Sequence, residues 1–181
     1  MKEFDAGRSG LVLGLVSIVY MVITALMGKI NASGAGAAVI NVTEVILWAA
    51  KLYICIRLMK YFMKKYADGK ADVTNRMTFR FGSLTALLSA LLFSGFSLAW
   101  ALFIQPDMYA EGFNAAMEMY EGMLTADQLD SMQELMPKLP TISFFANLIW
   151  CWLFGTVLAA IFSRNIPSRN PFGDIPEADN Q

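Results

Sequence analysis

The side chains that could do chemistry in an apolar environment are concentrated in one stretch of the sequence, residues 37–57. Asn41, Glu44 and Lys51 lie there, at steps that place them on one face of a helix, because a helix turns once in about 3.6 residues. An ionisable side chain at membrane depth is a functional candidate by default. The sequence therefore predicts an intramembrane polar site formed by Asn41, Glu44 and Lys51.

Two interpretations of this site stay open. In the first, Glu44 binds a proton or a cation on a translocation path, and Lys51 balances its charge. In the second, Glu44 is protonated or hydrogen-bonded between helices, and Lys51 extends to the membrane interface beside Arg57. Two helical turns, roughly 10 Å of rise, separate the two charges, which is too far for a direct ion pair.

Each charged residue then needs partners from other helices. We compare heights by treating the helices as untilted. The polar residues expected near Glu44 are Tyr20, Thr24, Ser94, Ser97 and Asn147, and those near Lys51 are Thr85, Ser89 and Thr156.

The residue types that most enzymes use are scarce. The chain has no His and two isolated cysteines, Cys55 and Cys151, which excludes Ser-His-Asp and Cys-His catalysis and CxxC redox or zinc sites. Six of the twelve Met residues lie within 105–140. Thioethers suit Cu(I), but Met also fills irregular apolar faces, and no His or Cys accompanies these. We therefore expect a non-enzymatic protein without a metal or other cofactor.

Composition places the chain in a membrane. Hydrophobic residues make up 56% and charged residues 16%, against roughly 45–50% and 25% in soluble domains. Four Pro-free apolar stretches reach the length of about 20 residues that a spanning helix needs. They are residues 9–28, 37–57, 81–104 and 141–163. The sequence thus predicts an all-α membrane protein with four transmembrane helices.

The first apolar stretch has a second interpretation, as a cleaved signal peptide. Ala35-Gly36-Ala37 resembles a cleavage site, but the apolar run from Leu11 to Met27 exceeds the usual signal core of about 7–15 residues. We therefore expect an uncleaved membrane anchor.

Charge differs sharply between the two longer connections. The segment between spans two and three has six basic and two acidic residues, whereas the segment between spans three and four has seven acidic residues and one basic residue. The positive-inside rule places the basic connection and both termini in the cytoplasm. We assign the basic residues to topology and to contact with anionic lipid headgroups, not to nucleic-acid binding.

The acidic connection, residues 105–140, is predicted to form two short amphipathic helices that cap the outer side of the bundle. The first begins after Asp107 and carries Tyr109, Phe113 and Met117 on its apolar face. The second begins with the capping box at 125–128. A partner-protein groove is the alternative cover for their apolar stripes.

Small residues are spaced for close helix packing. The first span has Gly10-x-x-x-Gly14, the third has small residues every three or four positions from Ser83 to Ala101, and the fourth has Gly155 and Ala159. We expect packing within one four-span membrane domain, residues 1–166. The Pro-containing segment 167–181 is predicted to be a disordered cytoplasmic tail.

The order of these features resembles that of the four-span membrane proteins known as domain of unknown function 4199. The resemblance extends over about residues 8–166. It rests on the basic connection, on Gln105-Pro106-Asp107 at the end of span three, on Thr125-Ala126-Asp127-Gln128, and on Gly155 before Arg164 in the last span. It implies a bacterial inner-membrane location and supports the four-span topology, and it assigns no activity or site residue.

The sequence therefore leads to two functional hypotheses. The first is a membrane or envelope protein that is structural or binds partners: the lipid bilayer, another copy of itself or a different membrane protein. The second is a small transporter or ion-coupled subunit that uses Glu44.

Overall fold

The computed structural model describes residues 5–28, 35–70, 72–119, 128, 131 and 134–166. Within these ranges the chain is helical and contains no strand. The helices are α1 (Ala6–Met27), α2 (Ala35–Asp68), α3 (Asn75–Phe103), α4 (Met108–Met119) and α5 (Leu139–Asn165), with a 3₁₀ helix at Met136–Lys138 before α5.

Four of these helices, α1, α2, α3 and α5, are long and apolar enough to cross a membrane. Short helical elements lie between the third and the fourth of them. The predicted fold class is therefore confirmed: an all-α protein with four candidate spans and short helices between spans three and four.

The helices α2 and α3 are longer than the apolar stretches that predicted them. Helix α2 continues past residue 57 to Asp68, and α3 begins at Asn75, where the Thr74 hydroxyl accepts a hydrogen bond of 3.2 Å from the Met77 N–H. The extension of α2 keeps an apolar face that includes the buried Met59 and Met63. Such an extension is stable because its one apolar stripe packs against the core, although its opposite face is too polar to lie in lipid.

Helix α3 packs most extensively against α1 and α5. The predicted close approach at Gly10 and Gly14 is confirmed on α1. A methyl group on Gly10 would lie 2.8 Å from Leu88 Cβ, and one on Gly14 would lie 2.6 Å from Leu92 Cδ2. Only glycine allows α1 to lie this close to α3.

The contact between α3 and α5 is equally close. Gly155 faces Ala86, and a methyl group on Gly82 would lie 2.8 Å from Ala159 Cβ. A hydrogen bond of 3.2 Å between the Ser83 and Thr156 hydroxyls also joins the two helices. Gly82 was not among the predicted packing residues, although it lies one turn before Ala86 in the same stripe.

The four long helices converge at the end of the bundle where α2 leads into α3, here called the basic end. Its core contains buried residues from every long helix and from the connection between α2 and α3. They are Ala6 and Leu13 of α1, Met59, Phe62, Met63 and Ala67 of α2, Val73, Phe81 and Ala86, and Ala159 and Ile166 at α5 and its end.

At the other end of the bundle, α4 begins immediately after Asp107, as predicted. Tyr109, Phe113 and Met117 are half-buried, whereas the polar residues between them are exposed. The principal described contact of α4 is with the 3₁₀ helix. Residues 125–127 of the predicted second helix and the tail 167–181 lie outside the described residues.

Candidate functional site

Helix α2, which carries the predicted site, divides into two unlike parts. Residues 38–57, here called the free half, include no buried side chain, and Val42 and Val45 are 59% and 65% exposed. Residues 58–68, here called the anchored half, include Met59 and Met63, which are 2% and 1% exposed. The close contacts of α3 with α1 and α5 leave the free half at the edge of the bundle.

Lys51 is the charged residue of the free half that turns towards the bundle. Its ammonium lies 4.9 Å from the ring centre of Tyr20 on α1 and 5.2 Å from that of Phe93 on α3. Cation–π contacts of this kind contribute about 0.5–2 kcal/mol each, most where water is excluded. Arg57 lies over a different ring, that of Tyr53, at 5.9 Å. Aromatic rings therefore hold Lys51 between two neighbouring helices.

Both cysteines of the chain belong to the surroundings of Lys51. Cys55 lies one turn further along α2, on the side near Ser17 of α1, and Cys151 on α5 lies within electrostatic range of Cys55 and Lys51. Both thiols are free and half-buried. Lys51 therefore contacts side chains of α1 and α3, and Cys151 of α5 lies within electrostatic range of it. Nothing in the spacing of positions 55 and 151 indicates that the two cysteines lie near one another.

Asn41 and Glu44 lie apart from this group. Asn41 is exposed and Glu44 is half-buried. Among the described residues, no hydrogen bond or ion pair joins Glu44 to another side chain, Lys51 included. The three predicted residues thus form two separate places on α2: Lys51 within the bundle, and Asn41 with Glu44 nearer the start of the helix.

The polar residues that were expected near Glu44 and Lys51 from helix heights make other contacts in the structure. Tyr20 contacts Lys51 and not Glu44. Thr24 donates hydrogen bonds to the backbone of its own helix, at Tyr20 and Met21. Thr85 and Ser94 are buried in α3 with no hydrogen-bond partner for their hydroxyls in the described structure. The comparison of heights, which assumed untilted helices with their ends at one level, is therefore wrong for Tyr20.

The chemistry available at Lys51 is that of a fixed cation between π faces, beside two thiols. No carboxylate of the described residues pairs with Lys51. No group of three or more His, Cys, Asp or Glu in the described residues could hold a metal ion. The arrangement orients a charge and contributes to helix packing.

The fold and the site together define a class, the small four-helix multi-pass membrane proteins. Within that class, the chain belongs to the family described as protein of unknown function (DUF4199), whose model matches residues 8–164. The family resemblance seen in the sequence is therefore confirmed. No curated protein and no solved structure matches the chain.

Proposed function

We propose that this protein is a non-enzymatic, multi-pass protein of a bacterial cytoplasmic membrane that associates with a second copy of itself through the free half of α2. The observation that carries the proposal is the exposure of residues 38–57, a membrane-length segment that contains Asn41 and Glu44 and no buried side chain. The absence of His from the sequence supports a non-enzymatic role.

The physical argument concerns hydrogen bonds in lipid. The hydrocarbon core offers no donor or acceptor, so a polar side chain there gains from a partner on another helix. Asn41 is exposed, and Glu44 has no hydrogen bond or ion pair with a described residue. A second helix packed on the free half would supply the partners that the described bundle does not supply.

A second copy fits this surface because the surface is self-complementary. The Asn41 amide both donates and accepts, so it can bond to its own counterpart across a twofold axis. A narrow exposed stripe runs beside Asn41. Its members are Ala38, Val42, Val45 and Ala49, and their small side chains allow two helices to approach closely.

The distribution of charge supports an orientation. The six basic residues between spans two and three belong to the basic end, and seven acidic residues lie in the connection between spans three and four. By the positive-inside rule, the basic end and both termini face the cytoplasm. The family resemblance supports a bacterial inner-membrane location.

The test is the association equilibrium of the labelled full-length protein in lipid bilayers, measured by single-molecule photobleaching over a range of dilutions. An interhelical hydrogen bond contributes about 0.6–2 kcal/mol, so Asn41→Leu should weaken association by about 3- to 30-fold. The matched control is Asn147→Leu, the same substitution on α5. A wild-type protein that is monomeric at all dilutions, or a control that weakens association equally, would contradict the proposal.

The alternative is a transporter or ion-coupled subunit that uses Glu44. The observation in its favour is that Glu44 lies in a candidate span without a hydrogen bond or an ion pair to a described residue. Glu44→Gln separates the two functions. Glutamine keeps the hydrogen-bonding capacity of a protonated carboxyl but cannot release a proton, so association should persist.

In liposomes, the two functions predict different fluxes for this variant. If Glu44 carries protons or cations, Glu44→Gln should abolish a flux that the wild-type protein shows. Equal fluxes in wild type and variant would make the transport hypothesis wrong. Affinity purification of the native complex gives a third outcome, because a different membrane protein recovered in place of a second copy would overturn self-association.

A further inference from the structure

An open groove of about 530 Å³ lies at the basic end, between the end of α2, the first turns of α3 and the middle of α5. This volume falls within the roughly 300–1,000 Å³ of small-molecule sites. The residues that matter for what it could hold are Tyr66, Met77, Arg80, Leu84, Leu87 and Trp152. Neither Glu44 nor Lys51 lines it, so the groove is separate from the residues discussed above.

The wall of the groove is built by rigid contacts. The Tyr66 ring stacks on the buried Phe81 ring, with centres 4.2 Å apart and planes inclined by 13°. The Lys70 ammonium lies 4.8 Å from the centre of the Tyr66 ring. The Ser83 and Thr156 hydroxyls join α3 to α5 beside the groove. The groove therefore exists before any ligand binds, which keeps the cost of binding low.

The groove changes character along its length. Met77 to Leu87 corresponds to about 15 Å of helix rise. Towards the basic end the groove contains the exposed guanidinium of Arg80, which makes no hydrogen bond or ion pair with another described residue. Towards the middle of the bundle its lining is apolar, with Leu84, Leu87 and Trp152. One end thus offers a fork of N–H donors, and the other offers a surface for hydrocarbon.

We propose that this groove is a binding site for one anionic phospholipid, with the phosphate on Arg80 and an acyl chain along Leu84, Leu87 and Trp152. Guanidinium binds phosphate oxygens in a bidentate manner, whereas the remaining lining needs only apolar contact. The positive charge of the basic end favours a lipid with net negative charge over a zwitterionic one. The site is independent of self-association through the free half of α2.

Trp152 provides a direct reporter of the acyl chain. A variant with Trp48→Phe, Trp100→Phe and Trp150→Phe retains Trp152 alone. It is reconstituted in phosphatidylcholine that contains a minor fraction of a brominated lipid. In one preparation this lipid is phosphatidylglycerol, and in the other it is phosphatidylcholine. The bromine atoms are on the acyl chains, because bromine quenches nearby indole fluorescence. The matched control retains Trp150, which is 73% exposed and does not line the groove. Trp150 and Trp152 are two residues apart on α5, and they point in different directions because each step along a helix turns the side chain by about 100°.

We expect brominated phosphatidylglycerol to occupy the site at Trp152 about fivefold better than brominated phosphatidylcholine, the preference that one basic residue near the surface confers. Trp150 should be quenched equally by both lipids. Arg80→Gln should remove the preference at Trp152. Arg76→Gln should retain it, because Arg76 lies one turn earlier on α3, is exposed, and does not line the groove.

Two results would overturn the proposal. Equal quenching of Trp152 by both lipids, in the protein that retains Trp152 alone and has Arg80 in place, would show ordinary contact with surrounding lipid, and it requires no substitution of Arg80. Loss of the preference in Arg76→Gln as complete as in Arg80→Gln would show diffuse surface charge without a site. Neither result bears on self-association, which is measured with other residues.

Discussion

The two halves of α2 belong to one continuous helix and yet differ in almost every respect. The anchored half contributes Met59, Phe62, Met63 and Ala67 to the core at the basic end, whereas the free half buries nothing completely. The free half coincides with the apolar stretch that predicts the span. The anchored half lies beyond that stretch, towards the lysines of the connection.

The different surroundings of the two halves, water and lipid, explain why only the anchored half is buried. Helix α2 has 34 residues, about 51 Å of rise, which exceeds the roughly 30 Å hydrocarbon core by several turns. Beyond the hydrocarbon, burial of apolar surface from water stabilises by about 25 cal/mol per Å². Within it, lipid is as apolar as leucine, so only close packing and hydrogen bonds hold helices together. The anchored half therefore has a driving force for packing that the free half lacks.

The largest expected effect tests the anchored half. Met63→Ala removes a side chain that is 1% exposed and contacts Gly82, so it should lower the free energy of unfolding by about 2–5 kcal/mol. Val39→Ala in the free half, where the side chain is 65% exposed and lies outside the proposed contact between copies, should change it by less than about 0.5 kcal/mol. Equilibrium unfolding in mixed micelles measures both, and equal losses would abolish the distinction between the halves.

A smaller effect is expected where the free half does meet the bundle. Tyr20→Leu and Phe93→Leu each remove a ring that lies within about 5 Å of the Lys51 ammonium. Each should cost about 1 kcal/mol with Lys51 present, and markedly less in a Lys51→Met background. The coupling in this double-mutant cycle isolates the cation–π contact. A coupling of zero would mean that the rings serve only as apolar packing.

The smallest effect concerns a single interhelical hydrogen bond in the closely packed part. Ser83→Ala and Thr156→Ala each remove one partner of the bond between α3 and α5. The coupling energy between them should be about 0.6 kcal/mol, the average for such pairs in membrane proteins. This value gives the scale against which the contribution of Asn41 to self-association is compared. A coupling larger than the loss of stability in Met63→Ala would reverse the expected order of the three effects.

Sequence alone predicted what depends on local pattern. The four apolar stretches, the start of α4 after Asp107 and the close approach at Gly10 and Gly14 follow from hydropathy, capping and residue size. The far end of α2 did not follow, because an apolar stretch marks the length of helix that faces lipid and not the length of the helix.

The surroundings of Lys51 could not be predicted. Tyr20 and Phe93, which contact Lys51, come from two other helices, and their position around α2 depends on tilt and rotation, which neighbouring helices impose. Sequence spacing places Lys51 on a face of α2, but it does not say which neighbour that face meets. The assignment of Asn41, Glu44 and Lys51 to an intramembrane polar site stays a prediction for all three residues.

The position of Lys51 also determines how a transmembrane voltage acts on α2. A full unit charge carried across the whole membrane changes energy by about 2.3 kcal/mol per 100 mV, so a shift through one tenth of the field changes it by only about 0.2 kcal/mol. Each ring contact with the ammonium is worth about 0.5–2 kcal/mol. The aromatic contacts of Lys51 are therefore larger in energy than the effect of a membrane potential on so small a shift of its charge.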